Sequence, residues 1–507
     1  MPSTNAKCGE SFDTLIVGGG SAGAVLATRL TEAPTRKVLL LEAGPSYAPD
    51  AYPAEITDSS LLGGYTDHDW GFQSEPGYIG HPIAAYRGKV LGGCSAVNGS
   101  VAVRTLASDL DRWAEQGLQG WSHDDLLPSF KKLESTDAGD NKLHGRTGPL
   151  PIIQLGLDDI SPMQRAFVDA ALASGIRATN DFNGTNPEGV GPYPMNVRDG
   201  VRVNTGMAYL TADVRSRTNL TIRGGVLVDR VLFEGGRAIG VLISDGTELR
   251  AREVILSAGA YCSAAILLRS GIGPADDLEA LDIPVVADLP VGLRLQDHPI
   301  YYNAYAADPE CIGAQTPVIG AKVWTASSEA TEGELDLHIT ATHLFDHSTS
   351  PTGVGFVLAV ALVRPQSRGT LTLVSRDPET APRIDLNFLA DPGDRRRLLN
   401  GVKLARRLGA IKPLASLIER ELNPGLDTID DAAIEASMLD TIDTYHHPTS
   451  TAPMGADDNR MAVTDWLGAV RGVTGLRVVD ASIFPDVPSA ATNLTVIAAA
   501  EHIAVRI

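Results

Sequence analysis

The chain has 507 residues, of which 43% are hydrophobic and 21% charged, and its formal net charge is −20 at pH 7. A chain of this length and ordinary composition is expected to form two or more structural units. The acidic balance argues against nucleic acid and anionic membranes as partners, because both are bound through clustered basic residues. It is compatible with a cationic small molecule but does not establish one.

The sequence shows no sign of a membrane or secretory route. No apolar run reaches the ~18 residues that a membrane span needs, and the polar start MPSTNAKCGESFD lacks the apolar core of a signal peptide. The four cysteines, Cys8, Cys94, Cys262 and Cys311, are scattered and form no C-x-x-C pair. We therefore expect a cytoplasmic protein with free thiols and with neither a disulfide framework nor a zinc ribbon.

Residues 13–44 predict a strand, a tight glycine turn, a helix and a second strand. The first strand, Thr14–Val17, is a short continuous apolar run, as expected of a buried parallel strand. Gly18, Gly20 and Gly23 follow it in the G-x-G-x-x-G spacing. In this spacing the first glycine allows the sharp turn, the second lets a pyrophosphate approach the backbone, and the third lets helix and strand pack closely.

The second strand, Val38–Leu41, ends in the acid Glu42. This carboxylate lies about 20 residues past the glycines, where it can accept hydrogen bonds from ribose hydroxyls. The N-terminus of the intervening helix offers free N–H groups to a pyrophosphate. An ordinary βα turn explains one glycine but not three with a well-placed acid. The region therefore predicts a dinucleotide site that contains Gly18, Gly20, Ser21, Ala22, Gly23, Glu42 and Ala43.

Further strands and helices are predicted towards the C-terminus. Residues 219–259 alternate apolar and polar positions around Gly-Gly and Asp-Gly turns, which predicts strands joined by hairpins. Val254–Leu256 predicts a buried strand that leads into a helix over Ser263–Arg269. Leu476–Val479 predicts another strand, and Ala491–Ala504 predicts a closing helix.

The intervening segments have a different character. They show isolated strands, Gly355–Leu362 and Thr370–Leu373, and an amphipathic helix around Asp394–Leu408. We therefore predict an α/β protein with a ligand site at the interface of two discontinuous domains. The nucleotide-binding domain would comprise residues 1–155, 215–300 and 445–507, and the substrate-binding domain, of antiparallel sheet and helices, would comprise residues 156–214 and 301–444.

From about residue 12 to the C-terminus the chain resembles the glucose–methanol–choline (GMC) flavoprotein oxidoreductases. Besides the glycine turn, the motifs that show this are RGKVLGGCSAVNGSV (87–101), GAYCSAAILLRSGIG (259–273), PVGLRLQDH (290–298), TYHHPTSTAPMG (444–455) and VVDASIFPDVPSAATNLTV (478–496). The resemblance implies a Rossmann-like domain that binds FAD rather than NAD. No second glycine turn lies between a strand and a helix with an acid downstream, as a nicotinamide site would require.

The resemblance also implies a reaction. His447 matches the family's catalytic base, and Asn493 matches its second polar residue, which would hold the substrate oxygen. A histidine suits the first role because its pKa lies near the working pH. We expect a small, primary alcohol to lose a proton to His447 and a hydride to flavin N5, giving an aldehyde or ketone. O2, a quinone or another acceptor would then reoxidise the flavin.

Other residues are assigned to the cofactor by the same resemblance. The motif at residues 87–101, RGKVLGGCSAVNGSV, matches the family's first signature and would lie over the flavin ring. Val228 would pair with the adenine through its backbone, Asp480 would bind the ribityl chain, and Thr495 would reach the flavin. Val97 stands where some relatives attach FAD through a histidine, so we predict non-covalent FAD. The first-signature residues at the ring are Gly93, Cys94, Ser95 and Asn98.

Several residues keep two interpretations. His446 and Tyr445 are candidates for substrate contact, although both could serve packing alone, and Cys94 is more simply a buried filler than a nucleophile. We expect a structural hydrogen-bonding role for His298. His338, His343 and His347 suggest a metal cluster by spacing, but the Ser-Thr-Ser-Pro segment that follows points to a loop, so no metal is predicted. These histidines could line the substrate side.

Two departures from the family pattern weaken any subfamily assignment: Ala264 replaces a usual proline, and Ser450 replaces a usual glycine. The segments most like this chain are those of choline dehydrogenase, aryl-alcohol oxidase and hydroxymethylfurfural oxidase relatives. Three alternatives stay open at this point. They are a hydroxynitrile lyase, a photodecarboxylase, which the short and polar residues 301–350 do not favour, and a non-catalytic flavin-binding module.

Overall fold

The computed structural model describes residues 11–62 and 67–507 of the chain. Its strands are β1 (Phe12–Val17), β2 (Val38–Leu41), β3 (Glu134–Ser135), β4 (Leu150–Pro151), β5 (Ile153–Gln154), β6 (Gly189–Pro192), β7 (Pro194–Met195), β8 (Val197–Arg198), β9 (Val201–Arg202), β10 (Leu220–Arg223), β11 (Val228–Glu234), β12 (Arg237–Ile243), β13 (Glu248–Leu256), β14 (Ile272–Gly273), β15 (Ala287–Asp288), β16 (Pro299–Ala307), β17 (Ile319–Thr325), β18 (Leu337–Thr342), β19 (Gly355–Leu362), β20 (Thr370–Thr372), β21 (Arg383–Asp385), β22 (Ile418–Asn423), β23 (Asp443–Thr444) and β24 (Leu476–Val478). Its α-helices are α1 (Ser21–Leu30), α2 (Ala54–Thr57), α3 (Ala107–Glu115), α4 (His123–Leu133), α5 (Pro162–Ala173), α6 (Thr205–Ala208), α7 (Ala212–Arg215), α8 (Gly259–Arg269), α9 (Ala275–Glu279), α10 (Pro392–Gly409), α11 (Asp431–Thr441) and α12 (Thr492–Ala504).

The first of two large sheets contains the predicted nucleotide-binding strands. Its order is β10-β2-β1-β13-β12-β11, and β24 also pairs with β13. The strands β10, β2, β1, β13 and β24 run parallel to one another, whereas β12 and β11 extend the sheet from β13 in antiparallel fashion. All of β2 is buried, as expected of a parallel strand covered on both faces. The α/β fold class with a Rossmann-like domain is confirmed.

The second large sheet is antiparallel, in the order β22-β16-β19-β18-β17-β6, with β23 pairing with β16. The predicted strand Gly355–Leu362 is its member β19. The interpretation of residues 301–350 as a short polar segment is wrong, because three strands of this sheet lie there or begin just before it. These strands were not recognised from the sequence because they carry polar residues. Asn303, Lys322 and His338 are all buried on them.

The two sheets follow the predicted division of the chain closely. The strands of the parallel sheet lie in residues 12–17, 38–41, 220–256 and 476–478, and those of the antiparallel sheet lie in residues 189–192 and 299–444. One buried apolar cluster joins them. The domain boundaries themselves stay a prediction.

In the part of the chain that the structure describes, no helix has both the length and the apolar character to cross a membrane. The cytoplasmic location stays a prediction. Cys94, Cys262 and Cys311 are free thiols, and Cys8 lies outside the described residues.

Candidate active site

A cavity of about 700 Å³ connects the turn after β1 with the segment around His447. We call its two parts the glycine end, lined by Gly18, Gly20, Glu42 and Asp480, and the histidine end, lined by Arg87, Asn98, Tyr445, His446, His447 and Asn493. The fold thus brings residues from opposite ends of the chain into one cavity.

Most of the residues predicted for the site line this cavity. Three do not: Gly23, Ser95 and Thr495. The Thr495 hydroxyl is buried without a hydrogen-bond partner among the described residues. The lining members of the predicted set are Gly18, Gly20, Ser21, Ala22, Glu42, Ala43, Gly93, Cys94, Asn98, Val228, Tyr445, His446, His447, Asp480 and Asn493.

The glycine turn leaves no room for side chains. Gly18 has a φ of 94°, and a Cβ there would lie 2.5 Å from the carbonyl oxygen of Ser257. A Cβ on Gly23 would lie 1.9 Å from the carbonyl oxygen of Gly18, so helix and turn pack directly. No side chain caps the N-terminus of α1, which starts at Ser21. Its first N–H groups are therefore available to an anion in the cavity.

Glu42 shapes this turn as well as lining the cavity. One carboxylate oxygen accepts the N–H of Gly19 at 2.9 Å, and the other accepts the N–H of Gly44 at 2.8 Å. Burial raises the pKa of Glu42 to about 7. Each oxygen keeps a further lone pair, so a role towards ribose is compatible with these bonds.

Asp480 joins the end of β24 to the start of α8. Its Oδ2 accepts the N–H of Gly259 at 2.9 Å and the Ser263 hydroxyl at 2.6 Å, and its Oδ1 accepts the N–H of Ser482 at 2.9 Å. Burial raises its pKa. Val228 lines the cavity at the first residue of β11.

The first-signature loop lies directly on the glycine turn. A Cβ on Gly93 would lie 2.7 Å from the Cα of Gly20, so the two backbones touch. The Cys94 thiol accepts a backbone N–H at 3.4 Å within the loop. The Asn98 side-chain oxygen accepts the backbone N–H of Ser100. The Ser95 hydroxyl donates to the carbonyl of Gly92 within the loop and contacts the hydroxyl of Thr205 on α6.

His447 is held by two groups that follow each other in sequence. Its Nδ1 lies 3.0 Å from Nδ1 of His298, and its backbone N–H donates to Asp297 at 2.7 Å. Burial, with further contributions from His298 and Arg87, lowers the pKa of His447 well below its ordinary value. Burial also lowers the pKa of His298 to about 3. Both imidazoles are therefore neutral near pH 7.

The direct contact of His298 with His447 was missed by sequence reasoning. The QDH motif made His298 visible, but nothing in the sequence placed it against a residue 149 positions later. Arg87 is a second omission: it lines the cavity and donates to the backbone carbonyl of His446 at 2.9 Å. Arg87 is the first residue of the motif at 87–101, and this position was the sequence signal that could have identified it.

Asn493 presents an unused donor to the cavity. Its Oδ1 accepts the Ser21 hydroxyl at 2.7 Å. Its Nδ2 is buried and has no partner among the described residues. An unpaired buried N–H is costly, so this atom is suited to an oxygen of a bound molecule.

His446 and Tyr445 form part of the wall at the histidine end. His446 has a φ of 65°, its ring centroid lies 5.6 Å from that of Tyr86, and burial lowers its pKa to about 3. The Tyr445 ring lies 4.6 Å from the His447 ring, centroid to centroid. Ser450 has a φ of 66°, the conformation that favours the glycine usual at this position.

His338, His343 and His347, which the sequence analysis considered as a metal cluster, do not line the cavity. The predicted loop is wrong for His338, which is buried on β18 with its Nε2 3.4 Å from Lys322 Nζ. His343 bonds to the Ser161 hydroxyl at 2.7 Å. In residues 11–62 and 67–507, no three or more His, Cys, Asp or Glu side chains are grouped so that they could hold a metal ion.

The cavity fits a dinucleotide with a planar ring. An uncapped helix N-terminus offers N–H groups to its pyrophosphate, and close glycine contacts leave the turn open to it. At the other end, the unpartnered Nδ2 of Asn493 and a neutral imidazole face the same space.

Comparisons with known proteins agree along the whole chain. Residues 12–300 and 365–500 match the two family models described as GMC oxidoreductase. An oxygen-dependent choline dehydrogenase of Ectopseudomonas mendocina is 39% identical, covering 98% of this chain and 94% of the relative. Pyridoxine 4-oxidase from Mesorbium loti superposes with a TM-score of 0.90 at 32% identity, covering 98% of this chain and 99% of that one. An FAD-dependent oxidoreductase from Chaetomium thermophilum gives a TM-score of 0.86 at 26% identity, covering 97% and 98%.

Proposed function

The chain belongs to the GMC oxidoreductase family, and we propose that it oxidises a small primary alcohol with His447 as the base and Asn493 as the partner of the substrate oxygen. Its cofactor is FAD, and it acts on CH–OH donors. The observation that supports the two residue roles is that a neutral imidazole and an unpartnered amide N–H line the same cavity as the glycine turn.

The residues of the cavity would hold FAD along its length. When bound, FAD supplies the acceptor for the hydrogen and electron pair that leave the alcohol carbon. The pyrophosphate would lie at the N-terminus of α1, and the ring at the first-signature loop. The other contacts would come from Glu42 to the ribose, Val228 to the adenine and Asp480 to the ribityl chain.

His298 sets the proton position on His447. The two Nδ1 atoms lie 3.0 Å apart, so one must donate and the other accept. The Nε2 of His298 is buried without a hydrogen-bond partner among the described residues, and minor contributions from the backbone of Pro488 and Val363 favour a proton on the ring. We assign that proton to His298 Nε2, which makes its Nδ1 the acceptor. His447 then carries its proton on Nδ1 and keeps a free lone pair on Nε2 to accept the hydroxyl proton.

Asn493 stabilises the oxygen as it loses its proton. Because the Ser21 hydroxyl donates to Oδ1, the amide is oriented with Nδ2 left for the ligand. A donor fixed in advance and shielded from water stabilises the developing alkoxide more than the neutral alcohol. This difference lowers the barrier rather than only tightening binding.

Oxidation is favoured over the lyase and decarboxylase alternatives. The matched relatives are named as a dehydrogenase and as an oxidase, and the neutral His447 can accept a proton from an alcohol. The acceptor that reoxidises the cofactor is O2 or another carrier.

The test is anaerobic mixing of the holoenzyme with a panel of primary alcohols while the flavin absorbance near 450 nm is followed. We expect at least one alcohol to bleach it and release the aldehyde. Air is then admitted, and rapid recovery of the absorbance identifies O2 as an acceptor. If dithionite bleaches the flavin but no alcohol does, alcohol oxidation is the wrong function.

A further inference from the structure

A buried lysine fills an aromatic cage behind the histidine end of the cavity. The Nζ of Lys322 lies 3.7 Å from the ring centroid of Trp324, 4.6 Å from that of Phe182 and 5.6 Å from that of Tyr193. The side chain is fully buried. Cages of this kind bind cationic groups, including quaternary ammonium ligands, through the faces of the rings.

No carboxylate accompanies this lysine. Within the described residues, Lys322 makes no ion pair, and its polar contact is with His338 Nε2 at 3.4 Å. Burial lowers the pKa of Lys322 well below its ordinary value, whereas the aromatic faces favour the ammonium form. In either protonation state the side chain occupies the cage, so an external cation is denied that space.

The cage lies one side chain behind the cavity wall. The His338 ring, which Lys322 contacts, lies 6.3 Å from the Tyr445 ring, and the Tyr445 ring lies 4.6 Å from that of His447. The cage residues also share an apolar cluster with Val101, which lines the cavity. The rings of Tyr445 and His338 therefore separate the cage from a cation held near His447.

The histidine end itself offers no free carboxylate. Of the acidic side chains that line the cavity, Glu42 and Asp480 belong to the glycine end. Asp69 accepts the backbone N–H groups of Gly71 and Arg87, and its charge is one of several that raise the pKa of Arg87. The fourth, Glu379, is exposed, and its neighbour Asp377 acts on Arg269, which bonds to Asp229 next to Val228; we therefore assign Glu379 to the side of the cavity lined by Val228.

We propose that the substrate of this enzyme is an uncharged alcohol and that quaternary ammonium alcohols are excluded, because Lys322 occupies the aromatic cage and the histidine end lacks an unpaired carboxylate. The inference rests on the proposed function and names its substrate class. It separates this chain from the relative whose name contains choline. The wall residues Leu62, Val97 and Val101 are apolar, which suits an uncharged body.

The decisive comparison uses two alcohols of the same shape. Choline and 3,3-dimethylbutan-1-ol differ only in a quaternary nitrogen against a carbon. With the holoenzyme, we expect kcat/KM for flavin reduction to be at least about 100-fold higher for the uncharged alcohol, because burial of an unpaired charge is costly. Values within threefold of each other, or a preference for choline, would overturn the inference.

Binding is measured separately so that a failure of the proposed function cannot be confused with a failure of this inference. Glycine betaine amide and 3,3-dimethylbutanamide form the same charged and uncharged pair but have no oxidisable CH–OH group. Perturbation of the flavin spectrum should give a dissociation constant at least about 10-fold lower for the uncharged amide. Equal or tighter binding of the cation overturns the inference even if no alcohol is oxidised.

Removal of the Lys322 side chain should weaken the discrimination against choline. In Lys322→Ala we expect the choline to 3,3-dimethylbutan-1-ol ratio of kcat/KM to rise about 10-fold, and Trp324→Leu in that background should remove the gain. The exposed Lys142→Ala is the matched control and should keep the wild-type ratio. A Lys322→Ala ratio equal to that of wild type contradicts the role of the cage. If Lys322→Ala does not fold, the wild-type isostere pair still decides the substrate class.

Discussion

The two ends of the cavity differ in how their polar groups are used. At the glycine end, the carboxylates of Glu42 and Asp480 already accept backbone N–H groups. At the histidine end, Nδ2 of Asn493 and Nδ1 of His446 are buried without partners among the described residues. At the first end the carboxylates are already used by the chain and only backbone N–H groups at the start of α1 are left for a ligand, whereas the second end has side-chain groups left for a ligand. We therefore expect mutations at the glycine end to affect cofactor content and mutations at the histidine end to affect the reaction.

The largest effect should come from His447→Ala. Removal of a general base typically costs 10²–10⁴-fold, so we expect the rate of anaerobic flavin reduction by an alcohol to fall by about 10³-fold. The flavin content should stay near that of wild type, because the cradle lies at the other end. Stopped-flow absorbance measures the rate, and the flavin-to-protein absorbance ratio measures the content.

His123→Ala is the matched control for this variant, since His123 does not line the cavity. It should reduce its flavin at the wild-type rate. Nearly intact turnover in His447→Ala would place the base elsewhere. If His447→Ala is instead purified without flavin, a residue of the histidine end also controls cofactor content, which contradicts the expected difference between the two ends.

The opposite behaviour is expected of Gly18→Ala. Its Cβ would lie 2.5 Å from the carbonyl oxygen of Ser257 at a φ of 94°, so the turn must move. We expect the purified protein to contain less than about a tenth of the wild-type flavin, because the pyrophosphate needs a close approach to this backbone. The absorbance ratio and reconstitution with added FAD measure the loss.

Gly246→Ala provides the control for backbone strain alone. Gly246 has a φ of 86°, but a Cβ there meets nothing within 4 Å. It should cost stability without loss of flavin. If Gly18→Ala binds FAD as tightly as wild type, the glycine end is not the cofactor cradle.

An intermediate effect is expected of His298→Ala, which tests a positioning residue. We expect kcat to fall by about 10–100-fold with KM little changed, because His447 loses the acceptor that fixes its proton. The base works only when unprotonated, and the pKa of wild-type His447 lies well below its ordinary value. Wild-type activity should therefore persist as the pH falls through 6.5.

In His298→Ala, solvent enters behind His447 and its pKa should return towards the ordinary ~6.5. Activity should then be lost as the pH falls through that value. His298→Asn, whose side-chain oxygen can accept a hydrogen bond, should restore most of kcat. A merely structural role would lower kcat equally at every pH, and that result would contradict the proton assignment.

The contrast between the ends also explains how much the sequence could predict. The predicted strand Val38–Leu41 has the same bounds as β2, and the glycine turn and Glu42 lie where expected, because this unit is local and its residues are close in sequence. The antiparallel sheet was predicted, but of its strands only Gly355–Leu362 was located, since other strands carry polar residues such as Lys322, which is buried against the distant rings of Phe182 and Tyr193. Propensity and pattern cannot show such tertiary burial.

At the histidine end the motifs predicted which residues matter but not which ones touch. The resemblance singled out His447 and Asn493, and both line the cavity. It could not show the His298 contact, the unpartnered Nδ2 of Asn493 or the filled cage around Lys322. Each of these depends on how distant segments pack, which is three-dimensional information.

The smallest effect should come from Ser450→Gly, at a position beside the histidine end where the chain departs from the family pattern. Ser450 is buried with a φ of 66°, and a non-glycine residue there costs about 1–2 kcal/mol. Glycine relieves this strain but adds about 0.4–1 kcal/mol of unfolded-state entropy and loses the 3.0 Å bond to the Thr449 hydroxyl. We therefore expect the free energy of unfolding to rise by roughly 0.5 kcal/mol, measured in urea. Ser216→Gly, where φ is −78°, should instead lower it. If Ser450→Gly lowers the free energy of unfolding as much as Ser216→Gly does, the serine hydroxyl and not the backbone conformation decides stability at this position.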